Sequence, residues 1–404
     1  MKKILFLSNR LPYPPTSGGA IKRWKVVEYL SEHHDLGIVT VLAEADPTHV
    51  DEFTSKIRLS HFHGEVLDRK RNVWNLLLSY LHGLPLSYYR NYSPSLKKHV
   101  RQVAENYDAL LLDSSLMFPY APRDCPRPVL LHEHNAEYVI WSRFCEVEKN
   151  VLKKMILLIE ARRIKNAERD CCKTSCAIFA APNDIQSLAG LGIPRDKFIE
   201  TYHLGNEEHL DLPDIDFHAT EKALLFVGTP AWEPNLDGLT WFISQVWDTL
   251  KARHPDLTFF VVGREPGARL RNLVRDRKDI RLTGFVEDLE PYYSRCRVFV
   301  APLRFGAGMK VKIIDAMYRG VPVVTTAVGA EGLGVEDGEH LFVSDTADNM
   351  AADTCELLQN ERTWTSIRDR SRTLARERYR WDRVFYNLES GIRSCLESED
   401  RKAL

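Results

Sequence analysis

No apolar run in this chain approaches the ~20 residues that a helix needs to cross a bilayer. The opening, MKK followed by ILFLSN, is too short an apolar run for a secretory signal. Excess charge of either sign is missing too: 55 Lys and Arg stand against 56 Asp and Glu. A dedicated nucleic-acid binder carries a basic surplus, so nucleic acid is not an expected partner. Eight cysteines are scattered, and their one cluster, Cys171, Cys172 and Cys176, lacks the paired spacing of a metal finger. Neither a disulfide framework nor a structural metal is indicated, which points to a reducing compartment. No strand-like segment is followed by GxGxxG, so a nicotinamide enzyme is disfavoured. HExxH is absent as well, and HEHN at positions 132–135 does not replace it as a zinc site. What remains is a cytoplasmic α/β chain, and 404 residues are enough for two domains.

The most informative stretch is 298–333, VFVAPLRFGAGMKVKIIDAMYRGVPVVTTAVGAEGL. Residues 298–302 read as a buried strand. A loop with Gly306 and Gly308 follows, then a helix with Val311, Ile314 and Met317 on one face. Gly320 is placed to stop that helix, and 321–325 is a second buried strand. A glycine loop opening a helix binds anions, because unpaired amides and the helix dipole point the same way. Arg304, Lys310 and Lys312 add cationic side chains, and Asp315 could hold a pair of vicinal hydroxyls. An ordinary crossover with solvated basic residues is the competing reading.

Repeated strand–helix alternation extends this unit in both directions. In the first half, 4–7, 37–42, 109–113, 129–132, 177–181 and 199–202 read as strands. Gly18 and Gly19 lie in a loop after the first of them, where an α/β sheet binds ligands. The fourth ends at His132 and leads to His134, Asn135 and Glu137. A strand-end histidine can exchange a proton near neutral pH or hold a substrate hydroxyl, and pattern alone does not separate His132 from His134. Segment 74–92 is dense in aromatic and aliphatic residues with a basic flank. It reads either as core helices or as a membrane-surface patch. In the second half, 223–227, 257–262, 280–282, 298–302 and 321–325 read as strands, most ending in glycine turns. Gly228, Thr229, Arg264, Gly284, Phe285 and Val286 would line one rim of a doubly wound parallel sheet.

Taken in order, FVGTPAWEPNLDGLTWF, VVGREP, LTGFVEDLEPYY, APLRFGAGMKVKIIDAMYRGVPVVTT and GAEGL resemble the donor half of the group 1 family of retaining GT-B glycosyltransferases, family 4-like. The opening LFLSNRLPYPPTSGGAIKRW is similar to the acceptor-domain loop of that family. More narrowly, the chain resembles bacterial sugar transferases of exopolysaccharide systems. The resemblance implies GT-B architecture: two Rossmann-like domains facing a central cleft, 1–205 binding acceptor and 220–375 binding a nucleotide-sugar. A linker at 206–219 would join them, and helices at 376–404 would cross back to the first. It implies a glycan or lipid-linked acceptor, contact with the inner face of the membrane, and no cofactor, with nucleotide-sugar as substrate and no metal. It assigns His134 to the reacting sugar and Asp315 to the ribose. Gly18, Gly19, Gly228, Thr229, Arg264, Gly284, Phe285, Val286, Arg304, Gly306, Gly308 and Lys312 fall on the donor side. Arg23, Asn135 and Glu137 fall on the acceptor side. One departure stands out: the family's second acidic residue, eight positions before the ribose carboxylate, is here Ala307. That loss keeps open a non-catalytic nucleotide- or glycan-binding subunit, and a sugar-nucleotide epimerase is a further alternative.

Overall fold

The computed structural model describes residues 1–15, 18–122, 127–148, 150–264, 266–306 and 308–402. It divides into two compact units, Met1–His203 with Asp382–Leu404, and Leu204–Trp381.

The first unit is built on strands β1 (Lys3–Ser8), β2 (Asp35–Leu42), β3 (His61–Val66), β4 (Ala109–Leu112), β5 (Val129–His132), β6 (Ala177–Ala180) and β7 (Phe198–Glu200). They form one parallel sheet in the order β3-β2-β1-β4-β5-β6-β7. The central strands are apolar along their whole length because helices cover both faces. Leu5, Leu7, Leu110, Leu112 and Leu131 point into one layer, and Ile4, Phe6, Leu111 and Leu130 into the other. Helix Trp381–Lys402 closes the second layer with Leu388, Ile392 and Leu396. It lies so close that a Cβ on Gly391 would come within 2.6 Å of Phe179 and Ile199. Cys395 of this helix is bonded to Cys176. That pair corrects the expectation of no disulfide: 219 residues separate the two cysteines, and no local spacing signals it.

The second unit carries β8 (Glu221–Val227), β9 (Thr258–Val262), β10 (Ile280–Gly284), β11 (Cys296–Ala301), β12 (Val323–Thr325) and β13 (Phe342–Val343). Their order is β10-β9-β8-β11-β12-β13, again all parallel. Each sheet therefore reverses strand order at one place, between β1 and β4 and between β8 and β11. In open parallel sheets that switch point is where ligands settle.

Some details differ from the sequence reading. Strands β3 and β13 were not anticipated; β3 is an edge strand of half-buried, partly polar residues, and β13 is two residues long. The stretch 206–219 is part of the second unit, where Arg372 donates to the Leu210 and Leu212 carbonyls and pairs with Asp214 at 2.6 Å. Arg297 donates to Phe217 and Thr220 in the same way. Gly18 and Gly19 are not loop residues but the first turn of helix Gly18–His33.

Candidate functional site

At the switch point of the first sheet, the ends of β1, β4 and β5 bring polar side chains together beneath the apolar strands. Asp113 follows β4 and is anchored by its amide on the Leu7 carbonyl, 2.9 Å away. Its carboxylate is fully buried. One oxygen accepts from Nδ1–H of His132 at 3.1 Å and from Nε2–H of His134 at 2.9 Å. The other accepts from Arg23 on helix Gly18–His33 and from the Ser8 hydroxyl at 3.2 Å. Burial opposes the Asp113 charge, but Arg23 and the two histidines outweigh it and hold its carboxyl well below the usual range.

A carboxylate can only accept, so these contacts fix both tautomers. His132 keeps a lone pair on Nε2 and His134 one on Nδ1, and neither atom has a partner among the described residues. Burial lowers both histidines, His132 to about 3, so each is neutral at pH 7. They differ in access: the His132 side chain is 1% exposed and that of His134 is 12%. The His134 ring is the more exposed of the two, although its Nδ1, like Nε2 of His132, is itself buried. Behind it, His203 donates from Nε2 to the His134 carbonyl at 2.7 Å. Lys22 is wholly buried 3.4 Å from the same nitrogen, and burial pushes it down to about 7.

The loop bearing His134 and Asn135 is pinned from below. Asp184 accepts from the Ala136 amide at 2.9 Å, and Glu168 accepts from the amides of Glu137 and Tyr138 at 2.7 and 3.1 Å. The N-terminus of helix Glu137–Val147 is thus satisfied by the protein's own carboxylates and not left for a ligand. Glu137, half-buried, has its carboxyl raised by burial, with Arg71 working against it. Asp113, His132 and His134 are spaced as a metal triad would be. The chemistry does not fit a cation, because Arg23 and the buried Lys22 already supply positive charge at that carboxylate.

The second switch point is made differently. Gly228, Gly263 and Gly284 end β8, β9 and β10 at φ values of +151°, +152° and +76°. The turns sit directly against one another: the Gly228 amide donates to Val262 at 2.9 Å and the Gly263 amide to Gly284 at 3.0 Å. A Cβ on Gly263 would lie 1.6 Å from the Gly228 carbonyl oxygen, so only glycine fits. Thr229 is exposed beside them, and its carbonyl accepts from Asn235 at 2.9 Å. Asn235 in turn accepts from Lys312 Nζ at 2.7 Å. Lys312 is the second residue of helix Val311–Arg319, 4.3 Å from the Phe226 ring centroid, and burial with Lys310 nearby lowers it to about 7. Gly306 and Gly308, at φ +142° and +74°, lead into that helix. Lys310 folds back to donate to the Gly308 carbonyl.

Asp315, on the same helix, accepts from the Asn206 amide at 2.9 Å. A Cβ on Gly205 would fall 1.7 Å from its Oδ1. Burial raises its carboxyl to about 7, with the Asn206 bond working the other way. Arg264 covers the Phe285 ring at 4.6 Å, leaving that aromatic 57% exposed beside Val286. Arg304 is committed elsewhere: it forms a two-pronged pair with Asp237 at 2.8 and 2.6 Å. Ala307 lies outside the described residues. The sequence reading missed Ser8, Lys22, Asp113, His203 and Asp237. Asp113 did carry a signal, as the one acid closing the apolar run ALLLD at a central strand's end.

Residues 221–360 match the family model for Glycosyl transferases group 1. These residues are therefore a glycosyltransferase domain, and the enzyme class is a nucleotide-sugar glycosyltransferase. Over 356 residues the chain is 25% identical to an uncharacterized 44.6 kDa protein in the cps region of Klebsiella pneumoniae, covering 85% of this chain and 88% of that one. Its fold is that of GT-B proteins. Sucrose-phosphate synthase from Thermosynechococcus elongatus superposes with a TM-score of 0.70 at 16% identity, over 98% of this chain and all of that one. Anabaena HepE, solved in complex with UDP and glucose, superposes at 0.67 with 15% identity and the same coverage.

Proposed function

We propose that this protein moves a sugar from a nucleotide-sugar donor to a hydroxyl of a glycan or lipid-linked acceptor in bacterial surface polysaccharide synthesis. The observation that carries the reading is the second switch point. The first of three glycine turns lies against Lys312, a Cβ on Gly228 falling 2.9 Å from its Nζ, at the start of helix Val311–Arg319, which is what a diphosphate requires. Asp315 supplies an acceptor for ribose hydroxyls, and Phe285 a flat apolar face for the base. The cps-region relative supports the polysaccharide context. HepE, a fold relative solved with UDP and with UDP-glucose, makes UDP-glucose the first donor to test.

In the reaction the bond from the anomeric carbon to the diphosphate oxygen breaks and one to the acceptor oxygen forms. The acceptor's proton departs with the diphosphate. Lys312 and the helix amides stabilise the leaving charge, a role usually played by a metal or by fixed donors; no metal is called for. His134 presents its partly exposed ring to the reacting sugar, and Arg23, Asn135 and Glu137 belong to the acceptor side. We assign retention of configuration to this reaction and a cytoplasmic location to the protein.

The test is incubation of purified protein with UDP-, GDP-, ADP- and dTDP-sugars, following nucleoside diphosphate release and the anomeric configuration of the product by NMR. Release from at least one donor, with the sugar's configuration kept, is expected. Binding without release from any donor would return the chain to a non-catalytic subunit. Interconversion of free donors would make it an epimerase.

A further inference from the structure

Two parts of the first unit break its layered apolar pattern. One is bare: helix Val73–Leu81 leaves Val73, Trp74 and Leu81 73%, 68% and 82% exposed, and the start of helix Val151–Thr174 is exposed as well. This corrects the reading of 74–92 as core helices, since only the second helix, Leu86–Arg90, is buried. No helix among the described residues is long and apolar enough to cross a membrane. The other part is polar, and its residue types define a chemistry.

It lies on the edge strand β3, where alternate residues face opposite ways. Phe62 packs into one layer against Phe53, with ring centroids 5.7 Å apart. His61, His63 and Glu65 face the other layer. Their partners on β2 are Gly37, Val39 and Val41, and the two valines belong to the apolar core of that layer. At the sheet's edge the core thus gives way to His-x-His-x-Glu, the donor set of a cation site rather than of a packed face.

Helix Pro94–Val103 and its cap meet this face. Glu65 accepts from the hydroxyls of Ser93 and Ser95 at 2.5 and 2.6 Å. His99 brings its Nε2 to 2.9 Å from Nε2 of His61, and its ring stacks on that of His63 with centroids 3.9 Å apart. All three histidines are half-buried, so each keeps contact with solvent. No cationic side chain is bonded to any of them among the described residues, whereas Arg23 already occupies Asp113.

Two imidazole nitrogens that face each other share one proton, one donating and the other accepting. A divalent cation in that place is met by both lone pairs at once. Zinc–imidazole bonds of about 2.0–2.1 Å set two ligand nitrogens roughly 3.3 Å apart at a tetrahedral angle, so the pair has only to open slightly. His63 lies parallel to His99 and does not point at this spot. Two histidines therefore form the clamp, and water fills the remaining positions.

We infer that His61 and His99 bind one divalent first-row transition cation, of the zinc or nickel type, which clips β3 to helix Pro94–Val103. The clip joins residues 38 apart in sequence, and closing such a loop restrains the unfolded chain. It also ties down the exposed edge of the sheet. The site is separated from the first switch point by the whole of β2 and stands apart from the transfer reaction.

The test uses full-length protein without a histidine tag, stripped with EDTA and titrated calorimetrically with zinc chloride and with nickel chloride. Thermal midpoints are read at each concentration. Wild type should bind one equivalent, and its midpoint should climb with ion concentration as mass action requires. His61→Ala and His99→Ala should each weaken binding by about tenfold or more, because one of two ligand bonds is gone. His99→Gln, which keeps a side chain over His63, should lose the ion-dependent rise while holding the midpoint of the stripped protein. His63→Ala and His134→Ala should keep the binding. Wild type that takes up neither ion would overturn the inference. So would binding that survives in His61→Ala/His99→Ala, or that disappears in His134→Ala, since the ion would then sit elsewhere.

Discussion

The two sheets share one strand order through six strands, yet they equip their switch points with different materials. The first spends side chains: Asp113 joins two histidines, an arginine and a serine in a buried set whose members fix one another's protons. The second spends backbone: glycine turns pressed together, a helix start, and a lysine held by an asparagine. On the proposed function, the difference follows from what each would meet. A diphosphate is met by converging donors of any identity, so amides suffice. Orienting a single hydroxyl needs one lone pair at one place, and a buried imidazole with its other nitrogen tied down supplies that.

If the first switch point is a single unit held by Asp113, its removal should give the largest effect. Asp113→Ala leaves the Arg23 guanidinium buried without its partner and both histidines free to turn. A loss of about 3–5 kcal/mol in unfolding free energy is expected from such an orphaned charge, together with loss of turnover. Urea denaturation measures the first and a donor-release assay the second. A loss below 1 kcal/mol would mean that water replaces the carboxylate and that the set is not a unit.

The histidines sharpen the same comparison. His134→Ala should lower kcat by about 100-fold or more, within the span for groups acting directly at the reacting centre, while the donor dissociation constant hardly moves. His132→Ala should act mainly through stability, since its whole side chain is only 1% exposed. Kinetics with separate kcat and binding measurements decide, and the opposite ranking would assign the chemistry to His132.

This pair shows how far sequence reaches. Strand ends, glycine turns and the order of motifs were legible, because apolar runs and glycines are local signals. His134 was visible as a strand-end histidine, but what distinguishes it from His132 is 12% against 1% exposure, a property of the packed loop. Asp113, Lys22 and His203 come together from three separate elements, and spacing carries no trace of such a meeting. Arg304 shows the converse: its position suggested a phosphate ligand, while Asp237, 67 residues away, already engages it. The exposed beginning of helix Val151–Thr174 was also hidden, since an apolar helix reads the same in sequence whether covered or bare.

At the second switch point the distinguishing prediction is one of pH. Burial lowers Lys312 to about 7, so the free protein holds this charge below that value and loses it above. A bound diphosphate favours the protonated form, so affinity should decline as pH rises from 7 to 9. Lys312→Arg, charged throughout, should abolish the decline, and Lys312→Met should weaken binding about tenfold, the scale of one charge-assisted hydrogen bond. Asp315→Ala should weaken it less, because one of its oxygens already serves Asn206. Calorimetric titration with the nucleoside diphosphate at several pH values checks all three. A flat profile in wild type would place the phosphates away from Lys312.

The smallest expected effect concerns the sugar itself. Apart from Asp315, which would accept from ribose, the second switch point offers amides, Lys312 and the Phe285 face, suited to phosphate and base. Where the family resemblance implies a second acid, this chain has Ala307, and a methyl group accepts nothing. A sugar's hydroxyls are discriminated by acceptors and donors placed at fixed positions, at about 1 kcal/mol for each good hydrogen bond. Without that carboxylate, the intact donor gains little over the free nucleoside diphosphate. The two dissociation constants should agree within about threefold, under 1 kcal/mol of added sugar binding. A donor binding a hundredfold more tightly than its diphosphate would show strong sugar contacts made by other residues. The division of labour would then break down, since a site made of backbone would also be reading hydroxyl configuration.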